Sequence, residues 1–322
     1  MTELYFYLDF GMSALSKSIY LAWRKSKLTK EISFKAEFTQ AKHLLIRLAE
    51  KPPYTLSSLY SLASIKRNKK SRKITVLIPP DAKMLVDAFP NLFEKVIEVE
   101  STPFYGAASF KSLKENLASS KYEVFIDFDL TPLPELAVLS KARLRMAYFQ
   151  KDLYPYFNIL FRASQTADIL TRASLMTRSL IGDAEPVNSL SRPQIIKRDA
   201  GEWLKLKGIK RGKNYPLLVS SIPFQLNLLD NWYILNPEKW ESETNKIKAS
   251  LIAEASAYLG SLDRGFEIAY LLGTPIIALL NSEEQKALLP APNITPIVPL
   301  IKHSQDSLGQ ESLREALSAI AP

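Results

Sequence analysis

The residues with the clearest potential for chemistry lie close together in the stretch SLDRGFE, at positions 261–267. Asp263, Arg264 and Glu267 bring three charges into five residues beside Gly265, directly before the apolar run IAYLLGTPIIALL. A charged turn before a helix supports two interpretations. Either the turn binds a ligand, or Asp263 caps the helix and Arg264 is a solvated charge. The sequence leaves both open.

A second pair of carboxylates, Asp127 and Asp129, stands in FIDFDLTP at the end of a predicted strand. Side chains alternate along a strand, so residues two apart point to the same face. Such a pair can supply a general base. The alternative is structural, with one aspartate capping the next helix and the other buried and hydrogen-bonded. No third ligand for a magnesium ion accompanies the pair, so we predict no metal site.

Short apolar runs alternate with helical patterns from residue 41 onward, which is typical of parallel sheets covered by helices on both faces. Residues at N-cap positions, such as Thr55 and Asp81, mark the starts of predicted helices. The predicted strands are HLLIRL, KITVLIPP, KVIEVES, YEVFIDFD and LRMAYFQ, and later YPLLVSSI, NWYIL, AYLGSL and TPIIALL.

This alternation predicts an α/β protein with two domains. Residues 1–40 stand outside it as an N-terminal extension, residues 41–184 form the first domain, and residues 185–322 form a smaller second one. Residues 153–182 are predicted to be helical, without a strand, as the passage out of the first domain. The chain ends in an amphipathic helix.

The composition excludes several classes of function. The 322 residues include no cysteine and two histidines, so disulfides, thiolate chemistry and cysteine- or histidine-built metal sites are not expected. No apolar run approaches the roughly eighteen residues of a membrane span. Glu3 and Asp9 stand where a signal peptide needs a basic start. We therefore expect a cytoplasmic protein.

The net charge of +9 is concentrated in KRNKKSRK at 66–73 and RKSKLTK at 24–30. Such clusters attract phosphates on nucleic acid, anionic lipid or sugar nucleotides, or they are solvated loops. Zinc-finger spacing, an aromatic RNP-type strand and a clear helix-turn-helix signature are all missing from the sequence, so we predict no nucleic-acid partner.

The extension contains GMSALSKSIYLAWRKSKLTKE, which has helical periodicity with an apolar face and basic residues largely elsewhere. A basic helix with an interfacial tryptophan lies on an anionic membrane surface, or it packs on the sheet as an ordinary helix. Both interpretations stay open. The residues on the apolar face are Met12, Leu15, Ile19, Ala22 and Trp23.

Two α/β domains joined by a helical hinge describe the GT-B architecture, in which ligands bind between two Rossmann-like domains. The segments AKHLLIRL, KITVLIPPDAKMLVDAFPNLFEKVIEV, KYEVFIDFDL and ARLRMAYF resemble, in order and spacing, the N-terminal half of family 9 glycosyltransferases, the lipopolysaccharide heptosyltransferases. EASAYLGSLDRGFEIAYLLGTPIIALL resembles the nucleotide-sugar segment of that family. The resemblance covers roughly residues 41–300. It implies a GT-B fold, and the short stretch between LLVSSI and SLDRG implies a reduced second domain.

The resemblance also implies roles for individual residues. Asp263 and Gly265 match a loop whose backbone amides hold the donor diphosphate, and Arg264 would add a cation there. Glu267 stands near the family's histidine and would accept hydrogen bonds from a donor ribose. Lys239 in PEKWESE would correspond to a donor-binding lysine of a Lys-x-Trp element, although the spacing differs.

The acceptor side departs from the family. After its first strand the family has a Gly-Asp pair, whose aspartate is the proposed base, and here Pro52 and Pro53 stand in that place. Glu50 is the nearest carboxylate that could replace the base, unless it is an ordinary exposed glutamate. Asp127 and Asp129 are the other candidates for the base or for acceptor binding.

These observations support two hypotheses from different classes. The first is an inverting, metal-independent glycosyltransferase without a bound cofactor, which moves a sugar such as heptose from a nucleotide-sugar donor to a lipopolysaccharide or other surface-glycan acceptor. Such a protein would lie at the inner membrane face as a peripheral protein. The second is a degenerate, non-catalytic GT-B protein that acts as a scaffold or binding subunit.

Overall fold

A computed structural model describes most of the chain. The described residues are 34–87, 89–99, 108–162, 169–182, 197–209, 216–223, 232–290, 295–301 and 310–320. The basic helix predicted in the extension and the predicted boundary at residues 184 and 185 lie outside them.

The first domain is built on a six-stranded parallel sheet in the order β3-β2-β1-β4-β5-β6. This is the strand order of a Rossmann fold, in which the chain reverses direction across the sheet between β1 and β4. The central strands are almost completely buried, as expected for a parallel sheet covered on both faces. The strands are β1 (His43–Arg47), β2 (Lys73–Ile78), β3 (Lys95–Glu98), β4 (Val124–Asp127), β5 (Leu144–Tyr148) and β6 (Ile159–Phe161).

Helices connect these strands and cover the sheet. Two 3-10 turns, Pro80–Ala82 and Pro90–Leu92, flank the short third helix. The helices of this half are α1 (Phe34–Gln40), α2 (Tyr54–Asn68), α3 (Lys83–Asp87), α4 (Ala108–Ala118), α5 (Pro134–Ser140) and α6 (Ile169–Ile181). The last of them, α6, packs back on α2.

The second domain has a smaller parallel sheet of five strands among the described residues, in the order β11-β10-β9-β7-β8. Within the described residues, this sheet has one strand fewer than the first. Its strands are β7 (Leu217–Ser220), β8 (Tyr233–Leu235), β9 (Ala257–Gly260), β10 (Ile276–Leu280) and β11 (Ile297–Ile301).

The helices of this half are α7 (Lys197–Leu206), α8 (Pro237–Trp240), α9 (Asn245–Glu254), α10 (Arg264–Leu272) and α11 (Gln310–Ile320), with a 3-10 turn at Glu283–Leu288. The terminal helix α11 packs on β10 and β11 through Leu313, Ala316 and Leu317. None of the helices in the described parts of the chain is long and apolar enough to cross a membrane.

The secondary structure predicted for the passage out of the first domain was wrong in one respect. Residues 153–182 were expected to contain no strand, but Ile159–Phe161 form β6 at the edge of the first sheet. The strand has three residues, all of them half-buried, so its sequence shows neither a long apolar run nor a clear alternation.

The two domains share one hydrophobic core. Helices α2 and α3 of the first domain pack against α9 and α10 of the second. Tyr60 and Tyr270 meet edge-on across this boundary, with ring centroids 6.5 Å apart. A large apolar interface holds two domains as one body, whereas polar interfaces allow hinge motion. Buried residues from both sides of this core include Leu59, Tyr60, Met84, Ile252, Phe266 and Tyr270.

Candidate functional site

The predicted ligand-binding turn lies where the two domains meet. Strand β9 ends at Gly260, and the turn after it leads into α10. Opposite this turn lie the segments that follow β1 and β2 of the first domain. Parallel α/β sheets place their ligand sites at these carboxyl ends, so this is the position at which a ligand between the domains is expected.

Arg264 crosses from the second domain to the first. Its guanidinium binds both carboxylate oxygens of Asp81, with Nε 3.0 Å from Oδ2 and Nη2 3.1 Å from Oδ1. It also donates to the backbone oxygen of Glu50 and to the hydroxyl of Thr55. The side chain is 11% exposed. A bidentate guanidinium–carboxylate pair fixes both distance and orientation, so Arg264 ties the two domains together.

Glu267 lies beside Arg264 and is completely buried. One carboxylate oxygen accepts from Nη1 of Arg264 at 2.8 Å, and the other accepts from the backbone N–H of Leu56 at 2.8 Å. Leu56 belongs to the first turn of α2, whose N-cap position is occupied by Pro53, without a side-chain hydrogen bond. Glu267 therefore caps a helix of the opposite domain. We call the group Arg264, Glu267, Asp81, Thr55 and Leu56 the interdomain clasp.

Burial sets the protonation of this cluster. Loss of hydration raises the pKa of Glu267 from its ordinary 4.5 to about 7, although Arg264 and the Leu56 N–H act in the opposite direction. Burial disfavours the charge of Arg264 too, but the carboxylates of Glu267 and Asp81 outweigh it and raise the arginine pKa. The arginine therefore stays charged, while the glutamate changes its protonation near neutral pH.

Asp263 is the N-cap of α10. Its Oδ1 accepts from the backbone N–H of Phe266 at 2.9 Å and from the Tyr258 hydroxyl at 2.8 Å. Its Oδ2 accepts from the Ser221 hydroxyl at 2.6 Å. The geometry of Asp263 is thus that of a helix cap. The second interpretation of Arg264, as a solvated charge, does not, because Arg264 is bound to the first domain.

Tyr258 occupies the space beneath the start of α10. The side chain is fully buried, and a Cβ added at Gly265 would collide with its hydroxyl. Burial and the neighbouring Asp263 raise the pKa of Tyr258 well above its ordinary value, so the phenol keeps its proton and donates a hydrogen bond to Asp263. Gly265 is therefore required by the tyrosine packed against it.

This packing predicts a large difference between two glycines. Gly265→Ala is expected to destabilise the protein by about 1–3 kcal/mol, because the new methyl group must displace Tyr258. Gly201→Ala on α7 is the control, since a Cβ there meets nothing within 4 Å and alanine favours helix by about 1 kcal/mol. Urea unfolding of both variants measures the difference. Equal stability of the two variants would contradict the packing argument.

Asp127 and Asp129 both converge on Arg47 of β1. Nη1 of Arg47 lies 3.2 Å from Oδ2 of Asp127, and Nη2 lies 3.7 Å from Oδ2 of Asp129. Asp127 also accepts from the backbone N–H groups of Asp129 and Leu133, at 3.0 and 3.1 Å. Burial raises the pKa of Asp127, and Arg47 opposes that effect. Asp127 is completely buried, so its geometry is that of a structural aspartate.

Asp129 has a similar set of partners. Its carboxylate accepts from the backbone N–H of Glu50 at 2.6 Å, and from the N–H and hydroxyl of Thr131 at 2.8 and 2.7 Å. The Glu50 carboxylate lies 3.7 Å from Arg47, with 34% of its side chain exposed. Glu50 is therefore the most exposed of the four candidate carboxylates, since Asp127, Asp129 and Glu267 are all buried.

Glu50 and Arg47 also line a small pocket at the carboxyl edge of the first sheet. The remaining lining residues are Leu48, Leu77, Ile78, Pro79 and Val99. The cavity volume is about 10 Å³. That volume holds about one water, whereas sites for small organic ligands measure about 300–1,000 Å³. In the described part of the chain, no group of three or more acidic or histidine side chains is placed to hold a metal ion.

Lys239 lies apart from the other predicted site residues. Its ammonium is 5.9 Å from the ring centroid of Tyr233, and its side chain is exposed. The adjacent Trp240 is buried and donates from its indole to the backbone oxygen of Ser220 at 3.1 Å. No contact among the described residues joins Lys239 to Asp263 or Arg264.

Solved structures with similar folds come from sugar-transfer enzymes. A family 9 glycosyl transferase from Veillonella parvula superimposes with a TM-score of 0.66 and 13% identity, over 87% of this chain and 97% of that one. The ADP-heptose lipopolysaccharide heptosyltransferase II of E. coli gives 0.61 and 13%, over 87% and 98%. The chain has the GT-B fold. By sequence, no family profile and no curated protein matches it.

The E. coli heptosyltransferase WaaC, solved with ADP-2-deoxy-2-fluoro heptose, likewise gives a TM-score of 0.61 and 13% identity, over 87% of this chain and the whole of that one. The resemblance stated from the sequence is therefore confirmed for the fold. Within this GT-B fold, the interdomain clasp joins the start of α10 to the segments that follow β1 and β2 of the first domain.

Several partners of the candidate residues were not predicted from the sequence. Thr55 and Asp81 were predicted as N-caps, but Pro53 stands at the N-cap of α2 and Asp81 lies inside a 3-10 turn and binds Arg264. Arg47 is a charge inside the apolar run HLLIRL, and such a charge is the signal in the sequence for a buried ion pair. The sequence around Tyr258 contains no comparable signal for its packing against Gly265.

Proposed function

We propose that this protein is a non-catalytic GT-B protein, a two-domain scaffold or binding subunit whose cleft is closed by the interdomain clasp. The observation that carries the proposal is the position of Arg264 and Glu267. Each makes its main polar contacts with the other domain or with its neighbour in the clasp, at the carboxyl ends of the strands, where α/β proteins of this type bind ligands.

The burial of three of the four candidate carboxylates supports the same conclusion. Transfer to a hydroxyl acceptor requires a group within hydrogen-bonding reach that can take its proton. Asp127 and Glu267 are completely buried, and Asp129 is 5% exposed. All three already accept several hydrogen bonds from the protein. Pro52 and Pro53 offer neither a base nor an amide donor.

The domain interface supports a static role as well. Enzymes that close around a substrate depend on loops or domains that move on the timescale of turnover. Here α2 and α3 share a hydrophobic core with α9 and α10, and the clasp lies at the edge of that core. Opening the cleft would expose this apolar surface and separate the buried Glu267 from its partners.

One observation favours a second candidate, an active glycosyltransferase. The carboxylate of Glu50 is partly exposed beside Arg47, at the carboxyl edge of the first sheet. A transferase using Glu50 as its base would be inverting and metal-independent, with a nucleotide-sugar donor and a lipopolysaccharide or other surface-glycan acceptor. Heptose would be the first sugar to test, by analogy with the similar structures.

Titration calorimetry and thermal unfolding of the full chain distinguish the two candidates. The probes are ADP, UDP, ADP-glucose, UDP-glucose and ADP-heptose, each added in large excess over the protein. A ligand at about 100 times its Kd stabilises a protein by about 3 kcal/mol, so binding would raise Tm measurably. The proposal predicts no heat, no Tm shift and no release of nucleotide from the sugar donors.

A Tm increase with any of these probes would contradict the closed cleft. Arg264→Ala then tests the position of the site, with Lys205→Ala as a control of equal charge change on an exposed residue of α7. Loss of the ligand effect in Arg264→Ala alone would establish a donor site at the clasp. Loss of nucleotide release in Glu50→Gln would establish the transferase.

A further inference from the structure

The amino edge of the first sheet carries a row of exposed cations. Lys73 is the first residue of β2, Lys42 and Arg143 directly precede β1 and β5, and Lys121 precedes β4 by three residues. All four residues are exposed. The strands β2, β1, β4 and β5 are neighbours in this order and parallel, so the four cations lie along one edge. At about 4.8 Å between strands, the row spans about 15 Å.

The last turn of α2 adds Arg67, and the loop between α2 and β2 adds Lys70, and both residues are also exposed. This loop is fixed to α1 by its buried arginine. The Arg72 guanidinium lies 4.3 Å from the ring centroid of Phe38 and donates to the Phe38 backbone oxygen at 2.9 Å. Lys69 donates to the backbone oxygen of Thr39 at 2.9 Å. The cations of the loop are therefore held in a defined place beside the row.

Acidic residues neutralise only part of this face. Glu37 pairs with Arg143 at 2.9 Å, although the arginine side chain remains 68% exposed. Glu123 accepts from the backbone N–H of His43 at 2.9 Å, and Glu94 lies at the start of β3. The exposed cations Lys42, Arg67, Lys70, Lys73, Lys121 and Arg143, which we call the amino-edge basic face, outnumber these acids.

We propose that the amino-edge basic face docks the protein on an anionic lipid surface. The face lies at the opposite edge of the sheet from the interdomain clasp, so docking leaves the boundary between the domains uncovered. Clustered lysine and arginine side chains near a membrane of anionic lipids are each attracted by its surface potential. The docking surface is independent of whether the cleft binds a sugar nucleotide.

The chain that precedes α1 favours lipid over nucleic acid as the partner. It joins the described fold at Phe34, at the start of the helix to which the basic loop is fixed. Its sequence supplies RKSKLTK at 24–30 and, at helical spacing before it, Leu15, Ile19 and Trp23. An apolar helical face together with a polybasic surface is the combination of two signals that holds peripheral proteins on membranes.

Vesicle flotation with the full chain tests this proposal. The vesicles are phosphatidylcholine alone, or phosphatidylcholine with about a third phosphatidylglycerol. We expect binding to the anionic vesicles only, decreasing as salt is added. The triple variant Arg67→Gln/Lys70→Gln/Lys73→Gln is expected to bind at least about tenfold more weakly, because three surface cations are lost.

A second triple variant, Lys111→Gln/Lys205→Gln/Lys286→Gln, removes the same charge from exposed positions away from this face and is expected to bind like the unmodified chain. Circular dichroism confirms that both variants are folded. Equal binding of the two triple variants, or equal binding to neutral vesicles, would overturn the proposal. Tighter binding of duplex DNA or RNA than of anionic vesicles, lost in the first variant, would assign the face to nucleic acid instead.

Discussion

Replacing Arg47 by methionine is expected to destabilise the protein by about 3–5 kcal/mol, the range measured when one partner of a buried ion pair is removed. The Arg47 side chain is 7% exposed and faces the carboxylates of Asp127 and Asp129. Without the guanidinium, Asp127 is left as a buried charge. Burial already raises its pKa, so the loss of stability should be larger at pH 7 than at pH 5. Urea unfolding followed by circular dichroism measures both values.

The double variant Arg47→Met/Asp127→Asn separates the lost ion pair from other consequences of the substitution. Asparagine keeps a carbonyl oxygen for the backbone N–H groups at this turn and removes the buried charge, so it is expected to restore about half of the lost stability. Arg143→Met is the control, because Arg143 pairs with Glu37 but is mostly exposed, and it should cost less than about 1 kcal/mol. Similar costs for Arg47→Met and Arg143→Met would refute the argument.

The strands that the sequence predicts well are those whose burial leaves a continuous apolar pattern. LLI in β1, ITVLI in β2 and IIALL in β10 are buried on both faces, and such runs are typical of parallel sheets. Two of the edge strands, β6 and β11, lack this signal. Strand β6 has three half-buried residues, and β11, which the sequence analysis did not identify, contains Pro299, a residue tolerated at sheet edges.

The candidate site shows a different limit of sequence analysis. The sequence identifies Arg264 and Glu267 as chemically capable residues, but their partners Asp81 and Leu56 lie 183 and 211 positions away. Local periodicity contains no information about contacts between domains. A carboxylate that binds a ligand and one that caps a distant helix cannot be distinguished from the sequence alone. The proline pair at 52 and 53 was a partial clue, because it leaves α2 without a cap of its own.

The clasp also makes the stability of the protein depend on pH, and Glu267→Gln is expected to remove that contribution. In the folded protein the pKa of Glu267 is raised from 4.5 to about 7. Between these two values the folded state binds the proton more tightly than the unfolded state. The stabilisation of the folded state by this tighter proton binding is therefore fully present below pH 4.5. It is lost as the pH rises to about 7, and the loss is up to about 3 kcal/mol.

The groups facing Glu267 explain why this change affects the domain boundary. Arg264 on the same helix stabilises the ionised form, and the N–H of Leu56 from α2 does the same. Asp81, beyond Arg264, opposes ionisation, and burial opposes it most strongly. As the pH rises above 7, the closed arrangement has to hold a buried charge that an open cleft would hydrate.

The measurement is urea unfolding of the unmodified chain and of Glu267→Gln at several values between pH 5 and 8. The unmodified chain should lose stability as the pH rises, whereas the variant should not, because glutamine does not titrate. The difference in free energy of unfolding between the two should therefore change by about 3 kcal/mol in favour of the variant from low to high pH. Glu98→Gln serves as the control, since Glu98 forms an exposed pair with Lys83 and its removal should change the stability only slightly. A difference for Glu267→Gln that does not change with pH would mean that the carboxylate is hydrated, and therefore that the domains are not closed over it.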